Sequence, residues 1–141
     1  MKILLTGAAG FIASNLIPRL LDRGDEVYGV DNFFLGRRSF LQPFLEHPRF
    51  HFQEFDLLKV DPLVALFEKA QPDLVWHVAA NSDISFGTTY TDFDVKGGTL
   101  VTYNVIEAMR RTGAKKIIFS SSGAIYGEPT VMPTPENYGP L

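Results

Sequence analysis

Near its start the chain runs from an apolar strand, through a glycine-rich turn, into an apolar helical stripe. The turn is Thr6-Gly7-Ala8-Ala9-Gly10-Phe11-Ile12-Ala13. Ile3, Leu4 and Leu5 precede it, and Ile12, Leu16 and Leu20 follow at a spacing of four, with Ile17 and Leu21 beside them. Gly7 permits a tight turn, Gly10 lets a phosphate approach the backbone, and Ala13 is small enough for helix to pack on strand. The helix N-terminus then offers free N–H groups and a positive dipole end to an anion. A glycine pair alone could be a plain strand–helix turn. The strand before and the helix after make it a dinucleotide-phosphate cradle.

The same alternation continues. Short apolar runs at 27–30, 50–55, 74–78 and 116–120 predict four more strands. Gly24 is a C-cap signal for the first helix. Asp61-Pro62 opens a helix running to residue 69, with Asp as N-cap and Pro at the first position. Residues 91–112 read as one long helix closed by Gly113, although Gly97 and Gly98 blur its start. Pro18 falls inside the first helix and predicts a kink. Continuous apolar strands alternating with helices mean a parallel sheet covered on both faces. The predicted fold class is α/β, a Rossmann-type doubly wound sheet of about five strands.

Asp31 follows the second strand about 20 residues beyond Gly10, the place of the acid that accepts both ribose hydroxyls of a dinucleotide. A carboxylate there repels a 2′-phosphate and favours NAD over NADP. Arg37 and Arg38 come soon after and could in principle hold a 2′-phosphate, but they read rather as a solvated loop pair or as touching the adenine side. Asp56, after the third strand, suits an adenine-amine acceptor or a helix cap. His77-Val78-Ala79-Ala80 ends the fourth strand in small residues that let backbone pass close to a ligand. His77 itself reads as a packed strand-end histidine rather than a catalyst.

These residues carry a resemblance. Thr6-Gly7-x-x-Gly10-x-x-Ala13, Val30-Asp31-Asn32, Phe55-Asp56-Leu57, His77-Val78-Ala79-Ala80, Tyr103-Asn104-Val105-Ile106-Glu107-Ala108 and Ile118-Phe119-Ser120-Ser121-Ser122-Gly123-Ala124-Ile125-Tyr126-Gly127 occur in order along the chain. The sequence resembles the extended short-chain dehydrogenase/reductase family, in its NAD-dependent epimerase/dehydratase group, with UDP-sugar 4-epimerases the nearest likeness. The resemblance implies NAD as cofactor and a UDP-sugar as substrate. Gly7, Gly10 and the Phe11-Ile12 backbone would hold the pyrophosphate, and Asp31 and Asn32 the ribose. Asp56 and Leu57 would flank adenine, and Ala79 and Ala80 would line the nicotinamide half. Ser122 would be the catalytic hydroxyl. It also implies a 4-keto intermediate, with transient hydride transfer to an NAD that stays bound, and a homodimer built partly on the long helix.

The chain departs from that family in places. The mechanism needs a Tyr-x-x-x-Lys pair to supply a phenolate base near neutral pH, and none occurs here. Tyr138 lies closer to Ser122 than the family spacing, and Pro140 would disrupt a helix there. Where the family places a cofactor-touching asparagine, this chain has Gly97-Gly98-Thr99. Residues 1–127 therefore read as the N-terminal part of an NAD-binding domain. Residues 128–141, with Pro129, Pro133, Pro135 and Pro140, read as a loop leading to an absent catalytic helix and substrate lobe. The chain alone is expected not to run the epimerase cycle.

Composition closes off other classes. The chain has 141 residues, 45% hydrophobic and 21% charged, ordinary for a globular domain. It has no cysteine, which excludes disulfides and thiolate chemistry. A formal charge of −3 argues against phosphate-driven nucleic-acid binding. No apolar run reaches a membrane span and no signal-peptide layout opens the chain, so a cytoplasmic protein without a metal site is expected. A dehydratase or decarboxylase of the same group, a non-catalytic NAD-binding module and an NADPH-dependent reductase are the competing readings.

Overall fold

Alternate residues of a strand face opposite ways, and β1 (Lys2–Thr6) uses both faces. Leu4 enters one apolar cluster, while Ile3 and Leu5 enter another. The computed structural model describes residues 1–138, apart from the side chains of Ile84 and Ala124. Four further strands join β1: β2 (Glu26–Asp31), β3 (Phe50–Glu54), β4 (Leu74–His77) and β5 (Ile117–Phe119). All pair in parallel, in the order β3-β2-β1-β4-β5. This is the doubly wound α/β arrangement expected.

Helix α1 (Phe11–Asp22) packs Ala13, Ile17, Leu20 and Leu21 on one face, where Leu41 of the short α2 (Arg38–Leu41) joins them. Helix α3 (Val60–Ala70) and α5 (Val101–Thr112) cover the other face through Leu63, Leu66, Phe67, Val105 and Ala108. The first crossovers thus lie on one side and the later ones on the other, which reverses the winding between β1 and β4. Among the described residues no helix is long and apolar enough to cross a membrane.

Gly24 behaves as expected. With φ +92° it ends α1, its N–H donating to the Leu21 carbonyl and the Asp25 N–H to the Leu20 carbonyl, both at 3.0 Å. Those two bonds are a Schellman closure. Pro18 lies inside α1, yet the helix continues unbroken to Asp22. Other boundaries shift. Helix α3 starts at Val60 with Lys59 as N-cap, so Asp61 and Pro62 sit in the first turn instead of capping it. Proline is tolerated there because first-turn N–H groups have no intrahelical partner.

The expected helix over 91–112 is not one continuous α-helix. A separate α4 (Ile84–Thr89) precedes it, and the stretch Val95–Leu100 is π-helical before α5 begins. Residues 128–138 contain neither helix nor strand. The Tyr138 hydroxyl closes this loop on itself: it accepts from the Thr130 N–H at 2.9 Å and donates to the Glu128 carbonyl at 3.1 Å. The Gly139-Pro140-Leu141 end of the expected lead-in loop lies outside the described residues.

Candidate functional site: the strand ends at the winding reversal

In open α/β sheets, ligands bind beyond the carboxyl ends of the strands where the winding reverses. Here that point lies between β1 and β4, and the glycine turn occupies it. Gly7 has φ +68°, and a Cβ on it would meet the Ala79 nitrogen at 2.9 Å. The turn therefore lies directly on the backbone that follows β4, and only a residue without Cβ fits. Gly10 has an ordinary extended φ of −79°; its hydrogen leaves room, not left-handed freedom. No side chain caps α1 and no acid sits in its first turn. The uncapped end is open, with Phe11 74% and Ile12 60% exposed. Free amides at a positive dipole end suit a pyrophosphate. Ala13 is fully buried, as close helix packing requires.

Asp31 ends β2 beside this turn. Its Oδ2 accepts from the Ala9 N–H at 3.0 Å and its Oδ1 from the Phe33 N–H at 2.7 Å. Burial raises its pKa, although these amides pull the other way. The two carboxylate oxygens together have acceptor capacity beyond these amides. Asn32 bridges outward: its Nδ2 donates to Asp56 Oδ2 at 3.1 Å, and its Oδ1 accepts from the Phe34 N–H. Asp56 Oδ1 accepts from the Leu58 N–H at 2.8 Å, an Asx turn ahead of α3. Asp56 therefore does not cap α3. Leu57 is buried, and its carbonyl accepts from Asn104 Nδ2 of α5 at 2.9 Å. Asp31, Asn32 and Asp56 are thus joined at one end of the sheet.

His77 is the packed histidine expected, and its partners fix its tautomer. The Thr102 hydroxyl donates to the Gly98 carbonyl at 2.7 Å, so its oxygen accepts from His77 Nε2–H at 3.0 Å. Nδ1 is then the acceptor for the Thr6 hydroxyl at 2.7 Å. Thr6 Oγ1 itself accepts from the Val78 and Ala79 N–H groups. Burial lowers the imidazole pKa to about 4, so the ring is neutral. The chain of bonds ties β1, β4 and the π-helical segment together. Ala79 is half-buried over the turn and Ala80 is exposed. Ser122 lies beyond β5 at the same end of the sheet, exposed, with its carbonyl accepting from the Ile125 N–H at 3.2 Å.

Sequence reasoning missed several residues here. Gly36 lies against the site: a Cβ on it would come within 2.7 Å of Asp31 Oδ1 and 2.8 Å of the Ala9 Cβ. A glycine five places beyond the acid was a usable signal. Thr102 was hidden, because its partner His77 is remote in sequence; Asn104 stood in a family motif, but its bond to the Leu57 carbonyl had no local signal. Arg38 is also more engaged than a solvated loop residue. Its Nη2 is 2.6 Å from Glu54 Oε2 and its guanidinium lies 4.2 Å over the Phe33 ring. Arg37 lies 5.7 Å over Phe40.

Relatives carry the same architecture. The chain is 35% identical over 138 residues to a UDP-glucose 4-epimerase of Mycolicibacterium smegmatis, covering 97% of this chain and 44% of that protein. It is 32% identical over 139 residues to UDP-glucuronic acid decarboxylase 5 of Arabidopsis thaliana, covering 98% and 38%. The solved UDP-glucose 4-epimerase of Thermus thermophilus, in complex with NAD, superposes with a TM-score of 0.87 at 33% identity, covering 100% of this chain and 44% of that one. The chain spans less than half the length of these relatives. With the family model for the NAD dependent epimerase/dehydratase family matching residues 3–141, glycine turn and strand-end acid included, the chain belongs to that family.

Proposed function

We propose that the protein is an NAD-dependent UDP-sugar epimerase of the UDP-glucose/UDP-galactose 4-epimerase kind, of which this chain supplies the cofactor-binding part. The observation that supports this reading most is the group of residues at the winding reversal. There a glycine turn pressed on Ala79, an uncapped helix end and a partly filled carboxylate share one end of the sheet. In this reading the backbone of Gly7, Gly10, Phe11 and Ile12 holds the pyrophosphate. Asp31 accepts from the adenosine ribose with its remaining lone pairs, and Asn32 supports it. Asp56 and the backbone of Leu57 flank adenine. Ala79 and Ala80 leave room along the nicotinamide half, and the Ser122 hydroxyl orients the reacting sugar oxygen. When bound, NAD supplies a two-electron acceptor for the sugar alcohol carbon. Residues 1–141 hold no Tyr-x-x-x-Lys pair to take the hydroxyl proton, and in this reading the chain alone is expected not to turn over. A cytoplasmic homodimer using α5 completes the reading; Tyr103 and Ile106 stand exposed on that helix.

The test uses the protein in its full natural length. Interconversion of UDP-glucose and UDP-galactose, absent from the 141-residue chain, supports the reading. Carbon dioxide release from UDP-glucuronate without epimerisation assigns the decarboxylase alternative instead. An Asp31→Ala variant is expected to weaken NAD binding by about tenfold or more, the scale of a lost charge-assisted contact. Unchanged affinity would remove Asp31 from the site.

A further inference from the structure

Glu54 ends β3 directly opposite Asp31, its register partner on β2. Between them lies a small charged group that the NAD site does not itself require. Arg38, at the start of α2, donates to Glu54 Oε2 at 2.6 Å and stacks 4.2 Å over Phe33. Phe33 is held at φ +57°, a conformation a bulky residue rarely adopts. Its N–H donates to Asp31 Oδ1 at 2.7 Å, and its ring packs on Phe52 at 5.4 Å. The Asp31 amide bonds therefore fix the ring on which Arg38 rests, and Glu54 fixes the far end of the guanidinium.

A guanidinium fork is the side chain best suited to a phosphate, because two parallel N–H donors match two oxygens. Arg38 has that fork, and its Nη2 donor is held by Glu54, the register partner of the ribose acid. We propose that Glu54 is a cofactor-selectivity residue, holding Arg38 so that it does not receive the 2′-phosphate of NADP. The proposal rests on the reading that this site takes NAD. Asp31 repels the 2′-phosphate directly; Glu54 removes the cation that would compensate. Both side chains of the pair are substantially exposed, at 68% for Arg38 and 48% for Glu54. Replacing Glu54 by the isosteric glutamine therefore leaves the core untouched.

The experiment is calorimetric titration of the protein with NAD and NADP at low ionic strength, where exposed charges are least screened. The wild type is expected to prefer NAD. Glu54→Gln is expected to shrink the NAD-to-NADP affinity ratio by about tenfold, mainly through tighter NADP binding, as one freed charge-assisted contact allows. Removing the guanidinium in Glu54→Gln/Arg38→Ala is expected to return the ratio to within about threefold of wild type. A ratio unchanged in Glu54→Gln, with NAD binding intact, overturns the proposal. So does a relaxed ratio that survives loss of Arg38, because Glu54 would then act by its own charge alone. A wild type that binds neither dinucleotide overturns the NAD reading itself, and this proposal with it.

Discussion

A Cβ at Gly7 would meet two backbone atoms of Ala79 at 2.9 and 3.0 Å, and neither can swing aside. Gly24 has a similar left-handed φ, but nothing lies within 4 Å of its missing Cβ. The two glycines therefore separate conformational strain from steric strain. Gly24→Ala is expected to lose only the left-handed penalty, about 1–2 kcal/mol. Gly7→Ala is expected to lose more, by moving β1 away from the segment after β4; urea unfolding of both variants measures the difference. His77 offers a pH-dependent test. Its pKa in the fold is about 4, below the ordinary 6.5. As pH falls, the unfolded chain therefore takes the proton first. The stability from the neutral ring is complete above about pH 6.5 and is lost progressively toward pH 4, on the order of 3 kcal/mol in all. His77→Gln should flatten unfolding free energy across that window relative to wild type. An equal slope in both proteins would show that His77 is not the titrating group.

At the scale of elements, what was legible in the sequence was what local periodicity encodes. Strand β1, the glycine turn and α1 each announce themselves within a few residues, and so does the Gly24 closure. The segment from α4 to α5 does not, because distant partners set it. Asn81 Nδ2 donates to Asp94 Oδ1 at 2.7 Å, and Gly97 lies against Asn81. Thr102 bonds both His77 and the Gly98 carbonyl, which pulls the π-helical turn toward β4. Asp83, accepting from the Ser85 N–H, was an N-cap signal for α4 that spacing alone passed over. The candidate site divides the same way. Asp31 was legible from its distance to Gly10; the bonds from Asn32 to Asp56, between strand ends, and from Arg38 of α2 to Glu54 of β3 have no local signature. Helix α5 is tied to the β3–α3 turn by one buried side-chain bond, from Asn104 to the Leu57 carbonyl. Asn104→Leu leaves that carbonyl without its partner. A stability loss of about 1–3 kcal/mol is expected in urea unfolding.

At the scale of the whole molecule, the two faces of the sheet are unequally covered along its width. The centre is sealed: Ile3, Leu4, Leu5, Val27, Val30 and Val75 are fully buried. The β5 side is not. Ile117, Ile118 and Phe119 are all exposed, on both faces of the last strand in the described sheet. An apolar edge strand offers unpaired backbone groups and sticky side chains to another copy. Lys115 and Lys116 precede it and provide charge only at its entrance. The 141-residue chain by itself is therefore expected to associate as its concentration rises, through β5 rather than through the exposed face of α5. Sedimentation velocity across a concentration series reads this directly. A lysine at Ile118 places charge in the middle of the edge without touching the His77–Phe119 stack, whose ring centroids are 5.7 Å apart. Ile118→Lys should hold the chain monomeric, whereas Ile106→Lys on α5 should leave the association unchanged. If the α5 substitution abolishes it instead, the helix face and not the sheet edge drives self-contact in the isolated chain.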